Sequence, residues 1–94
     1  MQYMIVETFV QGPEPVYARF QARGRLAPAG LQYVSSVVSD DGRRCWQLME
    51  CDDRALLDEW MGNWSDLVAF EVIPVISSPD AAKRFGPADT DAER

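Results

Sequence analysis

The stretch from Cys45 to Ile76 constrains the fold more than any other part of this chain. Trp46, Leu48 and Glu50 alternate with Gln47, Met49 and Cys51, which is the period of a half-buried strand. A helical stripe of Leu56, Leu57, Trp60, Met61 and Trp64 follows, and a second strand pattern runs from Leu67 to Ile76. Asp52 or Asp53 can cap the helix at its start, and Gly62-Asn63 can end it. One strand–helix–strand unit is thus complete with its own start and stop signals.

The N-terminal half repeats this order in weaker form. Gln2 to Val10 reads as a strand closed by Gly12-Pro13, and Pro13-Glu14-Pro15 suits the first turn of a helix. Val16, Tyr17 and Phe20 form that helix's apolar stripe, and Gly24 is a natural stop. Leu31 to Val38 and Arg44 to Cys51 are two further strands joined at the turn signal Asp40-Asp41-Gly42. The order β-α-β-β-α-β predicts an α+β, ferredoxin-like domain. Two helices cover one face of a four-stranded antiparallel sheet, in strand order 4-1-3-2. Pro74 then falls on an edge strand, where a missing backbone donor is tolerated. Residues 1–78 form the predicted domain, and 79–94 a short helix, ending near Phe85, with a flexible tail.

Composition removes several functions. Of 94 residues 15 are acidic and 9 basic, giving a net charge of −6, which disfavours a phosphate backbone as partner. No apolar run approaches the ~20 residues that span a bilayer, and the N-terminus reads as a strand rather than a signal peptide. A cytoplasmic protein is expected. The chain has no His, and its single Lys is Lys83, so imidazole triads and a Schiff-base lysine in the core are excluded. Cys45 and Cys51 share a strand parity six residues apart. That places them roughly 20 Å from each other, whereas a disulfide needs less than about 7 Å. Two free thiols fit a reducing compartment, and neither has a His or Lys neighbour to activate it. No metal-ligand, CxxC, EF-hand or phosphate-loop pattern occurs, so no cofactor and no metal are assigned.

Parity sorts the strand side chains into two faces. Val68, Phe70, Val72 and Ile76 form the clean apolar set of the last strand and are assigned to the helix layer, with Met4, Val6, Thr8 and Val10 of the first. The open face then receives Tyr3, Ile5, Glu7, Phe9, Arg44, Trp46, Leu48 and Glu50. Leu67, Ala69, Glu71 and Ile73 complete it. This arrangement predicts Glu7, Glu50 and Glu71 on one mostly apolar face. There they either form ion pairs with Arg44 or Arg25 in a wet dimer interface, or converge as a small acid–base or oxygen-ligand site. Trp46 can line such a cavity or anchor the interface, and Arg25 can hold an anion or stabilise the helix end. A second apolar sheet face predicts a homodimer that buries Ile5, Phe9, Trp46, Leu48 and Ile73.

Met4-Ile5-Val6-Glu7-Thr8-Phe9, Gly24-Arg25, Cys45-Trp46-Gln47-Leu48-Met49-Glu50, Leu56-Leu57-Asp58-Glu59-Trp60 and Phe70-Glu71-Val72-Ile73-Pro74-Val75 resemble a bacterial family, domain of unknown function 3303. The resemblance implies a small protein with a ferredoxin-like, dimeric α+β barrel fold. That fold hosts ligand binders and cofactor-free enzymes alike. The expected function is binding of a small organic ligand or an accessory role. The alternatives are a cofactor-independent isomerase or monooxygenase acting on a small organic acid or aromatic compound, and a protein-interaction module without a pocket. Glu7, Glu50, Glu71, Trp46 and Arg25 are the candidate cavity residues, and a second copy of the chain is the expected partner.

Overall fold

Pro13 and Pro15 open the first helix at positions where no intrahelical N–H is required. Asp53, just before the second, accepts a hydrogen bond from the Ala55 amide at 3.0 Å, although Arg54 holds the cap position and makes no side-chain cap bond. Ser77 caps a third by accepting from the Asp80 amide at 3.2 Å. The computed structural model, which describes residues 1–87, places these helices among four strands. The elements are β1 (Gln2–Phe9), α1 (Pro13–Arg23), β2 (Gln32–Val38), β3 (Arg44–Glu50), α2 (Ala55–Gly62), β4 (Val68–Val75) and α3 (Ser78–Phe85). The tail expected after α3 falls at residues 88–94, outside the described residues.

The sheet is antiparallel throughout, in the order β2-β3-β1-β4, which is the predicted order read from the other edge. Pro74 lies on edge strand β4. In the β2–β3 hairpin Asp41 accepts hydrogen bonds from the Ser39 hydroxyl at 2.7 Å and the Arg43 amide at 3.0 Å. A register shift between Tyr33 and Ser35 gives β2 one extra residue, a bulge that re-aims its inner end. No described helix is long and apolar enough to cross a membrane.

The core lies between one sheet face and α1 with α2. Ile5 and Phe9 of β1, Cys45 and Met49 of β3 and Val68 of β4 pack there with Val16, Leu57 and Trp60. Trp60 meets the Phe70 ring with centroids 5.7 Å apart. Both cysteines are free and buried. By contrast α3 buries no residue, and Phe85 is 76 % exposed.

The face assignment of β3, and of β4 from Val68 onward, agrees with the predicted parity. Leu67, expected on the open face, lies in the core just before β4, and the assignment of β1 is reversed. Ile5 pairs with Val72, Glu7 with Phe70 and Phe9 with Val68, so Tyr3, Ile5, Glu7 and Phe9 face the helices. Met4, Val6 and Thr8 face outward. Ile5 is 0 % and Phe9 4 % exposed; both belong to the core and not to the open face. Periodicity could not decide the matter, because both parities of β1 carry large apolar groups. The β1 set matched to Val68, Phe70 and Val72 was Met4, Val6 and Thr8, whereas the register pairs those three with Ile73, Glu71 and Ala69, and the fold supplies Glu7 with buried partners.

This reversal is directly measurable. Ile5→Ala should lower unfolding free energy by about 2–5 kcal/mol, as large-to-small changes at fully buried sites do. Met4→Ala, one residue away on the half-buried outer face, should lose clearly less. Urea titrations of the two variants compare the faces, and a larger loss at Met4 would contradict the register.

Candidate functional site

Glu7 occupies the middle of a central strand, flanked by Cys45 on β3 and Phe70 on β4, and is only 5 % exposed. A carboxyl group at such a depth requires donors or a proton. The Gln47 side-chain amide donates to Glu7 Oε2, and Gln47 Oε1 in turn accepts from Arg25 Nε at 2.8 Å. Arg25 thereby fixes which way the Gln47 amide points. Its carbonyl must face the guanidinium, so its NH₂ must face the carboxyl.

Arg25 is itself held from several sides. Its backbone carbonyl accepts hydrogen bonds from both indoles, Trp60 Nε1 at 3.1 Å and Trp64 Nε1 at 2.9 Å. The guanidinium lies 3.9 Å from the Tyr33 ring centroid and 5.3 Å from that of Phe20, close enough for cation–π attraction. Around it the chain is unusual. Gly24 has φ 75° and Leu26 φ 62°, and a leucine in the left-handed region is strained by roughly 1–3 kcal/mol. The Asn63 side chain donates to the Leu26 carbonyl at 3.1 Å and helps to hold that geometry.

Between these groups and α1 lies a cavity of about 190 Å³. Glu7, Arg25, Cys45 and Gln47 form its polar end. Phe9, Val16, Tyr17, Phe20, Trp60 and Trp64 form its apolar wall, and Ser36 with Val38 close the β2 side. Glu7 Oε1 makes no hydrogen bond among the described residues. Since no buried side-chain oxygen there is left without a partner, Oε1 reaches accessible space, and that space is the cavity.

Electrostatics follow from burial. Desolvation pushes the Glu7 carboxyl up from 4.5 to about 7, against the opposing pulls of the Gln47 amide and the Arg25 charge. Burial, together with nearby Glu7, likewise pushes the Cys45 thiol up to about 12, so it is a poor nucleophile. Tyr17 is raised for the same first reason.

Of the residues singled out from sequence, Glu7 and Arg25 meet through Gln47 at this cavity. The other three lie elsewhere. Trp46 is on the outer face beneath Arg44, whose guanidinium is 5.1 Å from its ring. Glu71, opposite Val6, shares that face. Glu50 pairs with Gln2 and Gln32 at the end of β3 and lines a separate depression with Gln32 and Asp52. The predicted convergence of Glu7, Glu50 and Glu71 is therefore absent, because Glu7 points to the opposite face from the other two. Among the described residues no group of His, Cys, Asp and Glu could hold a metal ion. Sequence reading passed over Gln47, Tyr17 and the wall role of Trp60 and Trp64. One signal was present: Ile5-x-Glu7-x-Phe9 and Cys45-x-Gln47-x-Met49 both set a polar residue between two apolar ones of the same parity.

The chain belongs to the family described as Domain of unknown function (DUF3303), whose profile matches residues 1–89. No curated protein and no solved structure matches it.

The Glu7 shift fixes a pH dependence of stability. Below pH 4.5 the carboxyl is neutral in both states, and its contribution is fully present. As pH rises the unfolded chain ionises first, so stability is lost until the folded-state value near 7 is passed. The loss is on the order of 3 kcal/mol. Glu7→Gln removes this dependence, so the stability difference between variant and native protein should grow by that amount from pH 4 to pH 8. Urea unfolding at several pH values measures it, and parallel curves would refute the shift.

Proposed function

We propose that this member of the family binds a small organic ligand in the cavity between α1, α2 and the sheet. The observation that carries this reading is a partly polar, partly aromatic cavity whose polar groups are held in place by a hydrogen-bonded chain before any ligand arrives. A dry apolar cavity of about 150 Å³ already accepts benzene, so about 190 Å³ suits one ring with a substituent. Preorganised polar groups at one end of an aromatic wall are the usual build of ligand pockets.

A second reading gives Glu7 a chemical role, moving a proton within the bound ligand as in an isomerisation. It is favoured by a carboxyl that titrates near neutrality with one oxygen toward the cavity, the match that general acid–base catalysis requires. In both readings the outer sheet face is free for a second copy of the chain. Ile73 is 40 % and Val37 66 % exposed there, beside Trp46 and Leu48. Arg44 and Glu71 stand on the same face, with no ion-pair partner among the described residues, so two copies can offer each other opposite charges.

Two measurements test these readings. A library of single-ring fragments, followed by ligand-detected NMR, should yield millimolar or tighter binders that Val16→Trp displaces by filling the cavity. No binder, or equal binding by a folded Val16→Trp variant, would overturn the ligand reading. Light scattering at low micromolar concentration should give about twice the 10.6 kDa chain mass, falling to one chain in Leu48→Asp. A monodisperse native monomer would refute the dimer.

A further inference from the structure

The donors and acceptors in the cavity restrict what can occupy it. Arg25 uses only Nε within the chain. Its Nη1 and Nη2 make no hydrogen bond or ion pair among the described residues, although the side chain lines the cavity. A guanidinium with both terminal nitrogens free presents a fork that fits a carboxylate bidentately. Arg19, the other arginine near this wall, is committed. It binds Asp66 through two hydrogen bonds of 2.8 and 2.7 Å and lies over the Trp64 ring. Arg25 is thus the cation available to a ligand here.

We propose that the cavity takes a small monocarboxylic acid of about one ring in size, bound as its anion with the carboxylate on Arg25 and with Glu7 protonated. Above neutrality, where Glu7 of the free protein is ionised, binding then takes up one proton. This rests on the cavity being a ligand site and adds the class of ligand and the proton. Arg25 and Glu7 are linked through a single side chain, Gln47, so a negative charge placed on Arg25 cancels the attraction that favours ionised Glu7. The groups that face Glu7 offer no substitute. Tyr17 comes from α1, Cys45 and Gln47 from β3, Ser36 from β2, and Trp60 and Trp64 from α2 and its following turn; none is cationic. Phe70 is its neighbour on β4. A ligand anion and a Glu7 anion would share one cation in a desolvated space, and the weaker acid takes the proton. Protonated Glu7 can then donate from Oε1 to a hydroxyl or carbonyl oxygen on the ligand.

Benzoate and its neutral isostere benzamide are the probes. Isothermal titration with benzoate from pH 6 to 9, in buffers of different ionisation enthalpy, should show proton uptake above pH 7. The affinity should fall there by up to about tenfold per pH unit. Benzamide should bind with little pH dependence. Arg25→Gln should weaken benzoate at least tenfold at pH 6 and leave benzamide within about twofold. Glu7→Gln should keep benzoate binding and abolish its pH dependence. If benzamide and benzoate bind the native protein alike, without proton uptake, the carboxylate inference is overturned and the cavity remains a ligand site. If neither probe binds and the fragment library also fails, the ligand reading falls with it. Folding of each variant is checked by circular dichroism. Should Arg25→Gln unfold, the native protein's proton uptake and the Glu7→Gln titration still decide the question.

Discussion

The carboxyl of Glu7 in the middle of a central strand is the constraint on which the rest of this structure depends. Hydrocarbon cannot satisfy it, so the strand beside it must offer a donor, and Gln47 does so. An amide has two ends, and its carbonyl needs a donor of its own, which is Arg25. The guanidinium must then reach inward from the loop after α1. That demand fits the left-handed turn at Gly24 and Leu26 and the two indole hydrogen bonds to the Arg25 carbonyl. Both tryptophans are therefore more than filler. They position the cation that orients the amide that satisfies the acid.

The same chain of partners accounts for the open space beside it. Packing Phe9, Val16 and Trp60 against an ionisable oxygen would leave that oxygen desolvated and unpaired. Leaving room for water or a ligand avoids this. The residual burial still raises the Glu7 pKa. A group that titrates near neutrality within a preorganised network is more informative about function than its neighbour Cys45, whose thiol is pushed far from reactivity by the same surroundings.

The element order and the strand order were legible in the sequence because punctuation and periodicity agreed. Pro13 and Pro15, the Asp41-Gly42 turn and the Leu57–Trp60 stripe each pointed to an element or turn that forms. The site was half legible. Glu7 and Arg25 stood out by charge, but their meeting depends on Gln47, a residue whose role exists only once β1 and β3 are in register. Parity failed on β1 for a physical reason. Met4 and Val6 on one face are as apolar as Ile5 and Phe9 on the other, so the assignment rested on matching β1 to β4, and that match was one residue out of register. Gln47, a polar partner at matched parity on the neighbouring strand, lets Glu7 face the helices, and single-strand periodicity cannot register a neighbour.

The reversal separates two kinds of surface that sequence reading had merged. Glu50, Glu71 and Trp46 belong with the outer face and the β3 end, where charge is solvated and exchanges cheaply with salt. Glu7 and Arg25 belong to a desolvated interior where one charge alters the next. The chain as a whole carries −6, so its mean field repels anions, and screening confines that repulsion to distances of about 8 Å. Inside the cavity the balance is local: one free guanidinium against one carboxyl that can be neutralised by a proton. That balance accommodates a single negative charge. A second charge on the same ligand would find no cation left, and would lie beside Glu7 with only a neutral thiol, a phenol and indoles around it.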